Sequence, residues 1–257
     1  MQDANLDPAP APARPRVWGL RDIAIVTVAV LFLFLMVPGA VYLLTGLFWE
    51  QESDGENTEA AHISLAVGNL LWYVTVIVTV LSYVRSKGGT ASDLGLRWPH
   101  GPGRDSWGRI VGIAVLTFIA MYAVTALYSV IALEILDLDF LEPSEQVPDD
   151  FYDHKVALAI LGIAVVIGAP FTEELFFRGF LYGGVRTYVS FILAALLTGF
   201  MFSLLHFNVG LVIPFTLIGA ILALSYQRSG NLITPIGAHF FFNFISFMVL
   251  AFVPEAR

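Results

Sequence analysis

The sequence predicts an all-α fold, a polytopic integral membrane helical bundle of seven or eight transmembrane helices. Three observations predict it. Of 257 residues, 57% are hydrophobic and 13% charged, and a soluble domain of this length buries a core without so apolar a composition. Apolar runs of about 20 residues recur, the length a helix needs to cross about 30 Å of hydrocarbon. The charges are segregated: thirteen of the 21 acidic residues fall in two stretches, 49–62 and 134–153. There is no cysteine, which excludes disulfides, Cys-ligated zinc and a thiol nucleophile.

Residues 1–20 carry Pro8, Pro10, Pro12 and Pro15 and read as a disordered cytoplasmic tail. The first span, 22–48, lacks a small-residue cleavage site after it and is expected to be a retained anchor. Further spans are expected at 62–84, 109–133, 155–182, 188–207, 210–227 and 231–253. The stretch 85–109, with Gly88, Gly89, Pro99, Gly101, Pro102 and Gly103, reads as a connector. Three units follow: the tail 1–20, the N-terminal helices and loops 21–153, and a catalytic core 154–253 continuous with them. Lys and Arg set topology while acids contribute little. Arg14, Arg16, Arg21 and the basic stretch from Arg85 to Arg109 therefore predict a cytoplasmic N-terminus and 85–109 loop, with the acidic stretches on the far side. A net charge of −8 argues against nucleic acid as a partner.

Seven spans put the C-terminus outside. Pro170, after Gly168 and Ala169, could divide 155–182 into two pieces, because proline interrupts the helical hydrogen-bond ladder and broken helices are tolerated where they line a cavity. That division would give eight elements and a C-terminus inside. It would also relieve a conflict of depth, since seven plain spans place Glu173 nearer the cytoplasmic face and His206 nearer the opposite one.

Three polar clusters interrupt the apolar sequence: Glu173-Glu174-Leu175-Phe176-Phe177-Arg178, Phe202-Ser203-Leu204-Leu205-His206, and His239-Phe240-Phe241-Phe242-Asn243. Ionisable groups at membrane depth are costly and usually face a functional cavity. Glu174 and Arg178 are four apart and share a helix face, whereas Glu173 projects elsewhere. His239 and Asn243 are also four apart. Each cluster alone has a structural reading, as a self-neutralising clamp or as interhelical hydrogen bonding. Their placement in one stretch of 71 residues, while the first three spans hold almost no ionisable groups, points instead to a shared site. Two glutamates, two histidines, an arginine and an asparagine suit the movement of protons around a water, which makes an intramembrane hydrolase the leading reading. A proton-coupled transporter or channel would use the same groups, but no internal repeat is visible. A non-catalytic membrane scaffold or immunity protein is the third class. No phosphate-cradling glycine motif, His-Glu-x-x-His or serine elbow is present.

The order Glu-Glu-x-x-x-Arg, Phe-x-x-x-His, His-x-x-x-Asn resembles the CPBP family, the CAAX proteases and bacteriocin-processing enzymes also called Abi proteins. The resemblance covers about residues 154–250. It implies an integral membrane endopeptidase whose active site lies inside the bilayer and opens towards the cytoplasm. By position, Glu173 and His206 correspond to the pair that activates water, Glu174 and Arg178 to its supporting pair, and His239 and Asn243 to the groups that stabilise the oxyanion. One such donor is often worth about 3 kcal/mol. Zinc held by Glu173, His206 and His239 is the alternative, but it would remove His239 from the oxyanion role. The expectation is catalysis without a cofactor. The implied partners are the lipid bilayer and a membrane-associated peptide or protein substrate, of CAAX type or peptide-maturation type, in the cell membrane if the host is prokaryotic.

Overall fold

The computed structural model describes residues 17–46, 59–101, 103, 106–143, 147 and 149–253. The expected tail up to residue 16 and most of the acidic stretch 49–62 lie outside the described residues. Seven long helices follow in chain order among the described residues: α1 Leu20–Gly46, α2 Glu59–Ser86, α3 Trp107–Ile135, α4 Lys155–Val185, α5 Phe191–Leu204, α6 Val212–Ser229 and α7 Ile233–Phe252. No strand occurs among these residues. Six of the seven are long and apolar enough to cross a membrane, counting α6 from Val209, and α5 is shorter. The protein is an integral membrane helical bundle.

Side-chain spacing decides which face of each helix turns inward. In α1 the buried residues are Ile23, Val26 and Val30, a single stripe at helical period. Val28, Phe32, Leu35 and Leu43 point outward, as lipid-facing positions do. The segment 17–20 is not part of a tail. Trp18 is buried, stacks on Phe180 with ring centroids 5.3 Å apart, and donates its indole N–H to the Phe180 carbonyl at 3.2 Å. Asp22 then ties α1 to α2, accepting from the Gly19 N–H, the Tyr83 hydroxyl and Lys87. That carboxylate holds the Lys87 ammonium above its usual pKa range.

Cross-contacts sort the helix ends into two groups. At the basic end, Arg97 reaches the Gly230 carbonyl and Arg109 the Arg228 carbonyl, and Asn231 Nδ2 donates to the Arg97 carbonyl. At the acidic end, His62 Nε2 lies 3.1 Å from Asp150 Oδ2, and the Tyr128 hydroxyl donates to the Leu141 carbonyl. The connector is more than a link. Its turn Ala91–Leu94 docks beneath the bundle, where Leu94 is fully buried and its carbonyl accepts from the Tyr226 hydroxyl at 2.9 Å. Gly95 must be glycine there, with φ +88° and a position where a Cβ would lie 2.5 Å from Tyr226.

Helix α4 runs through the centre as one element, which makes seven long helices, not eight, among the described residues. Pro170 does not break it, because the chain widens over Ala164–Gly168 and the Ala169 N–H reaches back five residues to the Ala164 carbonyl. In α-helical register that N–H would serve Val165, and Pro170 has no N–H to offer in its place. The Val165 carbonyl is therefore left for an outside donor. Asn243 Nδ2 of α7 donates to it at 2.9 Å.

The conflict of depth is resolved elsewhere, by the shortness of α5. Its 14 residues rise about 21 Å, less than the hydrocarbon thickness. Ser190 caps its start and the chain leaves the helix after Leu204, so the expected span 188–207 is shortened at both ends. His206, just beyond that end, consequently stops at the level of the α4 glutamates instead of reaching the far surface. α5 and α6 cross closely at Gly199 and Gly219, where a Cβ on Gly199 would lie 2.4 Å from the Thr216 carbonyl oxygen.

Candidate active site

The α4 residues Glu174–Tyr182 are wound as a wide π-type turn, a form frequent at functional sites. Arg178 Nη1 donates to Glu174 Oε1 at 2.7 Å, and Nη2 donates to the Gly219 carbonyl of α6 at 3.1 Å. The close crossing of α5 and α6 at Gly219 thus also presents a carbonyl to the buried guanidinium. The same Glu174 oxygen lies 2.9 Å from His239 Nδ1 on α7. An ionised carboxylate only accepts, so Nδ1 carries the proton. His239 Nε2 is then the ring nitrogen turned towards Glu173, 3.9 Å from its Oε2. That separation is too long for a direct hydrogen bond and leaves both atoms facing one spot.

Burial separates the two glutamates. Glu174 and Arg178 have side chains 0% and 1% exposed, whereas Glu173 is 12% exposed and lines a cavity of about 560 Å³. His206, His239 and Asn243 line the same cavity. His206 Nδ1 lies 3.1 Å from the Phe202 carbonyl, an acceptor, which leaves Nε2 as the ring's free acceptor. Phe202 is the shared wall of the two histidines, with ring centroids 5.0 Å from His206 and 5.9 Å from His239, and the Arg178 guanidinium lies 4.8 Å over its face. Of the six polar positions, four converge on the cavity and two stand behind His239.

A family model described as "Type II CAAX prenyl endopeptidase Rce1-like" matches residues 155–245. The similarity is confined to that stretch, less than half of the chain. The region begins at the start of α4 and ends within α7, so it contains all six polar positions. No match was found among curated proteins or among solved structures. The Rce1-like match supports a CAAX-type intramembrane endopeptidase in general.

Outside the Rce1-like region, the cavity takes residues that sequence reasoning passed over. Asn69 and Tyr73 of α2 both line it. Four residues apart in an otherwise apolar helix, they carried a readable signal: an amide and a phenol sharing one face. Just past the end of the matched region, Ser246 of α7 is a further lining residue, 3.2 Å from the Tyr122 hydroxyl of α3. Among the described residues no group of three His, Asp or Glu side chains is spaced to hold a metal ion. The cavity also runs towards the acidic end, reaching Leu161, Val147 and Leu250.

Proposed function

We propose that the protein is an intramembrane endopeptidase that hydrolyses a peptide bond of a membrane-associated substrate with water activated by Glu173 and His206. The observation that carries this reading is the chain Arg178–Glu174–His239, which ends with Nε2 facing Glu173 in a cavity shared with His206 and Asn243. Glu173 accepts a proton from the water while His206 Nε2 accepts its second hydrogen bond. The hydroxide attacks the carbonyl carbon, and negative charge develops on the carbonyl oxygen. Asn243 has one amide hydrogen on Val165 and a second to donate to that oxygen. His239 Nε2 faces the same spot, its ring held by the contact of Nδ1 with Glu174. The C–N bond then breaks, the amine nitrogen takes the proton from Glu173, and a carboxylic acid and an amine are released. Oxyanion donors of this kind act on charge present mainly in the transition state.

Purified protein incubated with membrane-associated peptides, with and without chelator, tests the reading. Wild type cleaves with chelator present, and Glu173→Gln and His206→Ala each lose at least about a hundredfold in turnover, the lower range for general acid–base catalysis. The double variant is little worse than either single one, because the two groups act as a unit. Substantial cleavage by Glu173→Gln rejects the mechanism, and one tightly bound zinc per active chain overturns its metal-free form. Ion flux into liposomes that survives in Glu173→Gln favours the transporter.

A further inference from the structure

The α2 wall of the cavity holds polar groups that the chemistry at Glu173 leaves unused. Asn69 and Tyr73 line the same cavity as Glu173 and share one face of α2. Tyr73 fixes the height of that face against α4. The Thr172 hydroxyl, beside Glu173 in the chain, donates to the Tyr73 carbonyl at 3.5 Å. The Tyr73 ring passes over Gly168, where a Cβ would lie 2.9 Å from its Cδ2. Asn69 stands one turn earlier in the same apolar helix. Neither the Asn69 amide nor the Tyr73 hydroxyl has a hydrogen-bond partner among the described residues, although Tyr73 is only 9% exposed. The other polar groups around them are engaged: His239 with Glu174, Asn243 with the Val165 carbonyl, His206 with the Phe202 carbonyl and Ser246 with Tyr122. A polar group without a partner is costly in such surroundings, and a ligand that supplies the partner offsets the cost.

The chemistry of that ligand follows from the reaction. A peptide bond is open to attack where the substrate is not helical, and there the flanking N–H and C=O groups have lost their internal partners. At membrane depth no bulk water replaces them, so the cavity wall must. The scissile carbonyl has Asn243, which leaves the flanking peptide groups to be served. A carboxamide complements one whole peptide group, because it offers an acceptor and a donor side by side. In an extended segment, peptide groups that point the same way recur about every 6.6 Å. Residues four apart on a helix, as Asn69 and Tyr73 are, stand about 6 Å apart along its axis. We propose that this face of α2 is a backbone-binding subsite for the substrate, an extended polypeptide segment held by its main chain. Asn69 accepts the N–H and donates to the C=O of one peptide group beside the scissile bond, and the Tyr73 hydroxyl donates to the next carbonyl on that side. The subsite rests on the endopeptidase reading and lies outside residues 155–245, the stretch the family model matches. Recognition through the main chain makes cleavage tolerant of the side chains at those positions.

The probe is a membrane-associated peptide that purified wild type cleaves, its cut bond mapped by mass spectrometry. It is resynthesised as a series of esters, each replacing one flanking peptide N–H by oxygen. In wild type, one ester position lowers kcat/KM about tenfold, the worth of one hydrogen bond. Asn69→Leu lowers kcat/KM for the parent peptide at least about tenfold and is indifferent to that ester, since the partner of the missing N–H is already gone. Tyr73→Phe also loses kcat/KM but keeps its sensitivity to the ester. Both variants melt in detergent at or above the wild-type temperature, because neither group has a partner in the folded protein to lose. An ester series without effect on wild type overturns the proposal, as does equal sensitivity of Asn69→Leu and wild type to every ester. Lowered melting of both variants, or undiminished cleavage by both, overturns it too, the groups then serving helix packing or holding water only. If wild type cleaves no peptide, the endopeptidase reading fails and the subsite with it, whereas cleavage without the ester coupling rejects the subsite alone.

Discussion

The two halves of α4 share one helix and differ in what surrounds them. From Glu174 to Gly184 every position is buried among aromatic and aliphatic side chains, with one ion pair enclosed. From Lys155 to Glu173 the helix widens around Pro170, leaves the Val165 carbonyl to another helix and borders the cavity. The difference teaches how a membrane protein holds a charged site. The lower half supplies rigidity through complete packing and a fully enclosed Glu174–Arg178 pair. The upper half supplies space, and the only carboxylate at the junction that faces it is Glu173.

The largest effect expected from breaking this contrast is at Arg178. Arg178→Ala leaves Glu174 buried without its cation, a change that typically costs about 3–5 kcal/mol, and also frees the Gly219 carbonyl. Thermal unfolding in detergent is expected to shift strongly downward, and cleavage is expected to vanish with it. Glu173→Gln, at the junction, should lose cleavage while unfolding normally. Equal melting of wild type and Arg178→Ala would sink the enclosed-pair account.

Next is Asn243. Removing an oxyanion donor costs about a hundred- to a thousandfold in kcat, so Asn243→Ala should slow turnover with little change in KM. The Val165 bond gives it a structural share as well, which a second variant isolates. Pro170→Ala restores an N–H that the Val165 carbonyl can use. In that background Asn243→Ala should cost less stability than in wild type, and a double-mutant cycle reads the difference. Additive stabilities would show that the two are not linked through Val165.

A smaller effect is expected at the α5–α6 crossing. Gly199→Ala places a methyl about where the Thr216 carbonyl sits, and overpacking of this kind costs about 1–3 kcal/mol. Activity should fall with stability, since the displaced α6 carries the Gly219 carbonyl that Arg178 uses; full activity at a lowered melting point would separate the crossing from the site. The smallest is Tyr182→Phe in the sealed half. It removes a hydroxyl that donates to Gln227 Oε1 at 2.7 Å, worth about 1 kcal/mol, and cleavage should be unchanged at temperatures where the protein is folded.

Much of the helical layout was legible beforehand, because span length and hydropathy are properties of short windows. The ends of α5 were not. Its apolar run continues past Leu204, and only the turn into Val209–Leu211 against the acidic segment shows where the helix stops. Pro170 was read correctly as a disturbance, yet its outcome depended on α7 offering a donor, which no local rule contains. Asn69 and Tyr73 were passed over because neither is charged and their helix lacks a motif.

By itself, the sequence determined a series of seven or eight apolar segments, a segregation of charge towards two ends, and the local pair Glu174–Arg178. Each of these follows from helical period and from the cost of charge in hydrocarbon. Only the tertiary structure decided that Glu174 has a second partner 65 residues away in His239. It alone decided which other helices wall the cavity that Glu173 faces. The physical reason is that spacing along one helix says which residues share a face. Which other helix that face meets, and at what height, is set by the crossing at Gly199 and Gly219, the length of α5 and the packing of the whole bundle.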